Sequence, residues 1–428
     1  MIEYLFLGLI LILPFQFALN PGDNADLAVT RILIPIIFLL WLVRSLAKKK
    51  VWMLNKPEMW LSAAFLFFLI LSVILGEDSG RGFRKLAYFL SVFPLFWVAT
   101  DIFCENRFRV KALKITIISG TLAALLGIFQ FVLQFVIGLD AELKYARILS
   151  PYFLGQAFGK LVESNPSWLV NVSGKTLMRA FGLFPDPHSF SFFVSMCFFI
   201  ALGYFFYGKG GRFRILAGLG SAMALLAVLF SFSRGAYLGV LAGAIFFIVI
   251  CIGRSGYLEK ILIALSIAAL ALFLFYSGAI SERLASAFNL KEGSNVERMK
   301  NWEEAVEIIK DHPLIGVGLG NYAAEIEPTI GERSSIYAHN LFLDIAAETG
   351  ILNGLIFLLL IFLSIFRGVR SGSAIGLGLS ASLVYFLVHG IFDTPLYSPQ
   401  VLVILLIVLA LGVNLSLEKI VSPAEAKS

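Results

Sequence analysis

The sequence predicts an all-α integral membrane protein. Hydrophobic residues make up 59% of the 428-residue chain and charged residues only 14%, which leaves more apolar surface than a soluble domain can bury. The apolar residues are gathered into runs close to the roughly 20 residues that a helix needs to cross the hydrocarbon core. Residues 1–428 are therefore expected to form a single polytopic membrane domain.

About twelve membrane spans are predicted from these runs. They lie near residues 3–19, 28–47, 58–76, 86–103, 113–138, 189–207, 214–231, 235–253, 259–280, 341–366, 375–392 and 398–416. The first run has no basic segment before it and no small-residue cleavage site, so we expect a retained span and not a signal peptide. An even number of spans places both termini on one side of the membrane.

The basic residues predict which side that is. Lys and Arg concentrate in alternate loops, at Arg44, Lys48, Lys49, Lys50 and Lys56, at Arg107, Arg109, Lys111 and Lys114, at Lys209, Arg212 and Arg214, at Arg254 and Lys260, and at Arg367 and Arg370. The positive-inside rule makes these loops cytoplasmic, together with both termini. The remaining loops then face outward.

Two of the outward loops are long, at residues 139–188 and 281–340, and we expect the active-site side to be built there. In the second loop, Ser294 and Glu297 have the spacing of a capping box. Apolar residues then recur at helical intervals as far as Pro313, namely Val296, Met299, Trp302, Val306 and Ile309. This pattern predicts an amphipathic helix that lies on the outer membrane face or over a cavity.

Each of the four histidines has more than one possible role. His339 stands at the outer end of the tenth span, where it could cap a helix or act in catalysis. His188 opens the sixth span, where helix capping is expected, and His312 precedes a proline at a helix end. His389 is expected to form a structural pair with Asp393, one turn further on, because polar groups at membrane depth must be paired.

Arginines on the outward side are candidates for binding an anion. Arg234, in "SFSRGAYLG", lies in a connection so short that its guanidinium must sit at the membrane boundary and requires an anionic partner. Arg179 precedes the sixth span on the same side. Guanidinium groups offer planar, multidentate donors to phosphate oxygens, either of a substrate or of lipid headgroups. Weaker candidates of the same kind are Arg31, Arg84 and Lys85.

Glycines mark two further features. Gly316, Gly318 and Gly320, in "HPLIGVGLGNY", do not follow a strand and would lie outside the cell, so a tight turn is expected and not a nucleotide loop. Gly350 and Gly354 have small-xxx-small spacing and are expected to seat the tenth span against a neighbouring helix.

Neither a cofactor, a metal ion nor a nucleic acid is expected. No His/Cys spacing fits a metal site, and acidic residues such as Asp186 and Glu292 form no recognisable cluster. The net charge of +6 arises in short loops and not in a basic patch interleaved with aromatic residues.

Several blocks of the sequence resemble the O-antigen ligase and polymerase superfamily. "AHNLFLDIAAETGILNGLIF" is similar to the family's hallmark, in which a histidine ends the large periplasmic loop and Glu-x-Gly-x-x-x-Gly opens the next helix. "SRGAYLG", "RAFGLFPDPHSF" and "NWEEAVEIIKDHPLIGVGLGNY" resemble three further blocks. The resemblance covers roughly residues 170–400, and the first third of the chain only through its pattern of spans.

The resemblance implies a fold similar to that of the C-type membrane glycosyltransferases and a location in the bacterial inner membrane. It implies an undecaprenyl-type (polyprenyl) diphosphate-linked glycan as donor, with a sugar hydroxyl of a glycolipid as acceptor. His339 matches the family's histidine that is proposed to deprotonate the acceptor. Arg179 and Arg234 match the arginines held to bind the diphosphate, and the family is regarded as metal-independent.

Other functions remain open at this stage. A polymerase that extends a lipid-linked glycan fits the same motifs as a ligase, and the oligomeric state is left undetermined. A transporter of lipid-linked sugars would require charged residues along a path through the spans, which are nearly free of them. A peptidoglycan-type polymerase is expected to depend on an outward aspartate. A membrane scaffold would leave Arg179, Arg234 and His339 without a shared role.

Overall fold

Helices make up most of the chain in the computed structural model, which describes residues 1–22, 25–49, 56–163, 166–172, 174–208, 211–252, 292–328 and 336–415, with Gly278, Ser281, Arg283, Ser286 and Asn289. In chain order the helices are α1 (Ile2–Ile12), α2 (Thr30–Ala47), α3 (Pro57–Leu75), α4 (Ser79–Val92), α5 (Leu95–Ile102), α6 (Asn106–Ile137), α7 (Leu139–Leu154), α8 (Gln156–Glu163), α9 (Pro187–Tyr207), α10 (Gly211–Phe230), α11 (Arg234–Ile252), α12 (Gly293–Asp311), α13 (Tyr322–Ile326), α14 (Leu341–Thr349), α15 (Ile351–Arg370), α16 (Ala374–Gly390) and α17 (Pro399–Val413). Two antiparallel hairpins pair β1 (Ala18–Gly22) with β2 (Ala25–Ala28), and β3 (Leu169–Val172) with β4 (Lys175–Met178).

Eight helical segments of the described chain are long and apolar enough to cross a membrane. They are α2, α3, α4 together with α5, α6, α9, α10, α11 and α15, and the shorter apolar helices at Ile2–Phe15, Ile375–Gly390 and Pro399–Val413 add to them. The expected all-α integral membrane fold is therefore confirmed. The predicted span at 259–280 lies outside the described residues apart from Gly278, so the number twelve stays a prediction.

Two helices form the centre of the bundle. Every residue of α17 from Gln400 to Val413 is buried, and α9 is buried over most of its length. A helix that is apolar on all sides avoids water either in lipid or among other helices, and the burial of α17 and α9 places them among other helices. On outer helices, by contrast, large apolar side chains such as Phe129 of α6 and Phe362 of α15 are exposed, as expected for residues that contact lipid.

Polar contacts gather the predicted cytoplasmic loops at one end of the bundle. Arg44, at the end of α2, forms an ion pair with Glu3 near the start of α1. Asn414, after α17, accepts a hydrogen bond from Lys56 at 2.8 Å through its side chain, and its carbonyl oxygen accepts one from Arg109. Arg44 also lies 3.6 Å from Asp101, and the Asn414 side chain donates to the carbonyl oxygen of Thr100 at 2.9 Å, so Glu3 and Asn414 lie at the same end of the bundle.

The predicted tenth span is not continuous, contrary to expectation. Gly350 has φ +89° and separates α14 from α15. A Cβ atom at Gly350 would lie 2.0 Å from the carbonyl oxygen of Leu314, so the close approach of this loop requires glycine. The nearest atom to a Cβ at Gly354 would be 3.7 Å away. The nearest atoms belong to α14, so Gly354 does face a helix, but Gly350 admits a loop, and the expectation that it seats a helix was wrong.

That loop is the predicted glycine turn, which is confirmed. Gly316, Gly318 and Gly320 all have positive φ, between +70° and +99°. The amide of Val317 donates to the carbonyl oxygen of Ala347 at 2.9 Å, and the amide of Gly318 to that of Glu348 at 3.1 Å. The turn thus satisfies the carbonyl groups left free where α14 ends.

The second long loop contains the predicted helix, α12, but its cap differs from the prediction. The helix begins at Gly293 with Glu292 as N-cap, and no side chain caps it. The Ser294 hydroxyl instead accepts a hydrogen bond from Arg234, so the expected capping box was wrong. Ala305 and Ile308 of α12 are buried in a small cluster that also includes residues of the loop before α14 and of α14 itself.

Candidate functional site

His339 lies in the segment that leads into α14, with a strained backbone. Its φ is +49°, a left-handed conformation that costs a residue other than glycine about 1–2 kcal/mol. The neighbours on both sides fix this conformation. The Ala338 amide donates to Asp344 Oδ1 at 2.8 Å, and the Asn340 side chain caps α14 by accepting from the Phe342 amide at 3.1 Å. Strain of this kind is concentrated at functional sites.

The imidazole of His339 faces the carboxylate of Asp393. The distance from Nδ1 to Oδ1 is 3.8 Å, and the His339 side chain is 40% exposed, so its other edge is accessible. Burial by itself would lower the pKa of His339, but the Asp393 carboxylate outweighs it and raises the pKa above the usual value. Burial would likewise raise the pKa of Asp393, whereas the surrounding histidines, His188 first among them, hold it well below its usual range.

Asp344 joins the two segments that carry this pair. Its Oδ1 accepts from the amide of Ala338, next to His339, and its Oδ2 accepts from the hydroxyl of Thr394, next to Asp393. Asp344 is buried, so each of these contacts fills a hydrogen-bonding need that water does not meet. One carboxylate on α14 therefore sets the spacing between His339 and Asp393.

His188 also contacts Asp393, which corrects its predicted role. The cap of α9 is Asp186, whose Oδ1 accepts from the amides of His188 and Ser189 at 2.8 Å each. The His188 ring is free of capping and places Nδ1 3.2 Å from Asp393 Oδ2 and 3.2 Å from Ser233 Oγ. The sequence could not show this, because Asp393 lies more than 200 residues further along the chain.

His389 is the most deeply buried histidine, and its expected pairing with Asp393 was wrong in detail. Asp393 lies beyond the end of α16 and directs its two oxygens to His188 and His339. The ring of His389 instead stacks on Phe192, with centroids 3.7 Å apart. Both ring nitrogens of His389 nevertheless have hydrogen-bond partners, the hydroxyls of Tyr385 and Ser233, as expected for a polar group at that depth.

Arg179 follows β4 and is held by backbone carbonyl groups. Its Nε donates to the carbonyl oxygen of Ser231 at 2.6 Å, and its Nη1 to that of Ser167 at 2.9 Å. Nη2 is buried without a hydrogen-bond partner in the described part of the chain. Burial, together with the charge of Arg283, lowers the pKa of Arg179 to about 9. One edge of this guanidinium is thus unsatisfied and strongly suited to an anion.

Arg234 begins α11 and has its predicted anionic partner within the same chain. Its Nη1 forms an ion pair with Glu292 and its Nη2 donates to the hydroxyl of Ser294. The Ser286 carbonyl oxygen accepts a further hydrogen bond from Nη1 at 3.2 Å. Arg234 is only 7% exposed, so this pairing offsets much of the cost of its burial.

Two arginines that the sequence analysis did not single out complete the basic cluster. Arg283 Nη1 lies 3.6 Å from Glu292, opposite Arg234. Arg298, on α12, makes no ion pair within the described residues. Its positive charge nevertheless opposes protonation of His339 and attracts the carboxylate of Asp393. Burial lowers the pKa of both arginines. A signal for Arg298 did exist, since it lies one helical turn before Trp302 in the predicted helix.

The three weaker candidates have other surroundings. Lys85 forms an ion pair with Glu348 at 2.6 Å, and its ammonium group lies 4.5 Å from the centroid of the Tyr397 ring. Arg31 lies over the ring of Tyr88, and Arg84 is exposed on α4. The structure does not bring these residues to Asp393, and their role in substrate binding stays a prediction.

One group of side chains has the composition of a metal site. Ligand atoms of His188, His389 and Asp393 lie within 4.8 Å of one another. Four ligands around zinc at ~2.0–2.1 Å stand roughly 3.3 Å apart. The hydroxyl of Ser233 lies among them, 3.2 Å from His188 and 3.4 Å from His389, so a hydrogen-bonded network accounts for the same arrangement.

Comparisons with known proteins agree with the resemblance seen in the sequence. A family model described as O-antigen ligase matches residues 219–358, a stretch that includes Arg234, Arg298 and His339. The exopolysaccharide production protein ExoQ of Rhizobium meliloti (strain 1021) is 27% identical over 206 residues. That alignment covers 44% of this chain and 46% of the relative, so the chain matches less than half of ExoQ's length.

The family match covers the part of the chain that carries most of the polar cluster. The matched stretch contains the second half of α10, all of α11, the loop helix α12 and the break between α14 and α15, which together position most of the basic residues described above. The resemblance indicated by the sequence motifs is thus confirmed: over residues 219–358 the chain is similar to the O-antigen ligase family, and over about half of its length to ExoQ.

Proposed function

We propose that the protein is a membrane glycosyltransferase that moves a glycan from a polyprenyl diphosphate donor to a sugar hydroxyl of a glycolipid. The observation that supports this most is a continuous set of contacts around Asp393. Asp393 contacts His339 and His188, His188 contacts Ser233, and Ser233 is followed directly by Arg234. Arg179 joins the same set through the carbonyl oxygen of Ser231.

The basic cluster suits the leaving group of such a reaction. When the bond between the sugar and the diphosphate breaks, negative charge develops on oxygen atoms that cannot be neutralised by water inside a membrane-embedded site. Fixed guanidinium groups stabilise that charge in the transition state. Arg298 makes no ion pair within the described residues, and Nη2 of Arg179, which is buried, has no hydrogen-bond partner there, so we assign these two groups to the diphosphate.

His339 supplies the base that the nucleophile needs. An alcohol is a weak nucleophile, and a positioned imidazole typically contributes a factor of ~10²–10⁴ by removing its proton. In its neutral form His339 takes the proton from the acceptor hydroxyl, and Asp393 stabilises the imidazolium that results. The hydroxyl oxygen bonds to the anomeric carbon as the bond to the diphosphate breaks. Attack opposite the diphosphate inverts the anomeric centre.

The same chemistry serves a ligase or a polymerase. The family description, O-antigen ligase, favours a single transfer to a glycolipid. The name of the relative ExoQ, an exopolysaccharide production protein, favours repeated extension of a lipid-linked glycan as the second candidate. In either case we place the site on the periplasmic side of the bacterial inner membrane, opposite the end where Arg44 and Lys56 gather.

A transfer assay tests the proposal. The purified protein in nanodiscs is supplied with a labelled polyprenyl diphosphate oligosaccharide, with and without a glycolipid acceptor. We expect one glycan addition per acceptor for a ligase and a ladder of products for a polymerase, and both with release of polyprenyl diphosphate. An intact donor after incubation with every acceptor offered, under conditions where donor binding is measured, would overturn the proposed reaction.

A further inference from the structure

His188 has no part in the reaction as described, although it shares the carboxylate of the proposed base pair. We propose that His188 is a positioning residue: its Nδ1–H holds Oδ2 of Asp393, so that Oδ1 is left facing His339. This inference rests on the proposed function, because it assigns His188 a task in that same reaction. The two contacts, at 3.2 Å to His188 and 3.8 Å to His339, use different oxygens of one carboxylate.

The backbone of His188 is fixed by its position in α9. Pro187 is the first residue of that helix, and Asp186 caps it through the amides of His188 and Ser189. The helix itself is buried at the centre of the bundle. The His188 ring is therefore carried by the most constrained part of the fold, whereas Asp393 stands in the connection between α16 and α17.

A chain of hydrogen bonds determines which ring nitrogen carries the proton. Tyr385 lies 2.9 Å from the Ser191 carbonyl oxygen, which can only accept, so its hydroxyl donates there. The Tyr385 oxygen, 2.7 Å from His389 Nδ1, must then accept, which leaves Nε2 of His389 without a proton. The hydroxyl of Ser233, 3.4 Å from that nitrogen, donates to it.

The same reasoning identifies the ring nitrogen of His188 that carries a proton. A carboxylate can only accept, so the 3.2 Å contact with Oδ2 of Asp393 is attractive when Nδ1 of His188 bears a proton. The oxygen of Ser233 has already given its proton to His389, and it can also accept from His188. Every donor in this series of hydrogen-bonded groups, which begins at Tyr385 and ends at the acceptor Asp393, has an acceptor. The contact between His188 and Asp393 is consequently part of a buried network that specifies one orientation.

Orientation matters for the reactive pair because its contact is long. At 3.8 Å, the His339 and Asp393 groups are beyond hydrogen-bond distance, and Oδ1 also accepts from the Thr394 amide at 2.8 Å. The Thr394 amide then holds one oxygen of Asp393 and His188 the other, and without His188 the carboxylate could pivot about the single remaining hydrogen bond and turn away from His339. The base would lose part of its activation while the arginines that bind the donor remained in place.

Two substitutions of equal polarity test the proposal. Asn at position 188 places an amide nitrogen close to the position of Nδ1, whereas Gln places it closer to that of Nε2. We expect His188→Asn to keep kcat within about threefold of the unchanged protein. We expect His188→Gln to lower kcat by about 10- to 100-fold, part of the factor that a positioned base contributes. The donor KM should change little in both, and His312→Asn, at an exposed histidine, is the matched control.

The outcomes separate this inference from the proposed function. Equal kcat for His188→Asn and His188→Gln, or a loss seen only as a higher donor KM, would overturn the positioning role. If one variant does not fold, glycan transfer by the other relative to the control still decides between the two expectations. Full transfer by a His339→Asn protein would instead contradict the proposed base, whatever the His188 variants do.

Discussion

The guanidinium of Arg234 is paired with the carboxylate of Glu292, the residue that directly precedes the loop helix α12. The resemblance described above implies that the same guanidinium binds the diphosphate of the donor. Glu292 therefore occupies an anion position that the substrate must take over, and the two compete for Arg234. This relationship connects the conformation of the second long loop to donor binding.

Replacement of Glu292 by Gln is expected to strengthen donor binding. Removing a competing ion pair worth on the order of 1 kcal/mol should lower the Kd of a polyprenyl diphosphate by about threefold to tenfold. Binding of that lipid in nanodiscs measures the effect. Glu297→Gln, on the exposed face of α12, removes the same charge without contact to Arg234 and serves as the control. Weaker binding in the Glu292 variant would mean that the carboxylate holds Arg234 in position.

His339→Asn is expected to stop glycan transfer and preserve the fold. Asparagine adopts left-handed backbone conformations more readily than alanine, so it suits a φ of +49° while lacking a basic nitrogen. We expect kcat to fall by ~10²–10⁴ and donor binding to remain. Product formation and lipid binding are measured on the same preparation. A variant with normal kcat would show that another group removes the proton.

The pH dependence of transfer should reflect the pair of His339 and Asp393. A protonated imidazole cannot act as a base, and Asp393 raises the pKa of His339, so activity is lost as the pH falls through a value above the usual ~6.5. In Asp393→Asn the negative charge that raises the pKa of His339 is gone, while the burial that lowers this pKa remains. The pH at which kcat falls on the acid side should therefore be lower than in the unchanged protein. Profiles measured between pH 5 and pH 9 compare the two proteins, and no shift of this pH would argue that another group titrates.

Gly350→Ala should destabilise the protein far more than Gly354→Ala. At Gly350 the added methyl meets a carbonyl oxygen at 2.0 Å and the backbone has φ +89°. Together these should cost more than about 2 kcal/mol of unfolding free energy. At Gly354, in the interior of α15, the methyl has room, and stability should stay within about 1 kcal/mol or rise. Thermal unfolding in detergent compares the pair, and equal stability of both variants would contradict the required turn.

Chelation of divalent metals is expected to leave transfer unchanged, because in the proposed mechanism arginines take the role that magnesium has in many diphosphate sites. The assay is run with EDTA and then with added magnesium or zinc. Activity that is lost with EDTA and restored by one metal would indicate that His188, His389 and Asp393 bind that ion.

The histidine and arginine blocks could be found from the sequence because their neighbours carry a recognisable pattern. Arg234 begins a helix after a short connection, and His339 precedes a capping asparagine, so both lie at element ends that the hydropathy pattern reveals. Asp393, His188 and Arg298 were missed or given other roles. Each acts across a distance of tens to hundreds of residues, and local spacing carries no information about such contacts.

The sequence by itself determined that the chain is a helical membrane protein, which ends of its helices gather basic charge, and which polar residues stand at the opposite boundary. These features follow from the cost of placing backbone and charge in hydrocarbon, which acts on every segment separately. Only the tertiary structure decided that Asp393 is shared by His188 and His339, that Glu292 pairs with Arg234, and that Gly350 divides the tenth span. Those contacts join segments far apart in the chain, so they exist only after the helices have packed.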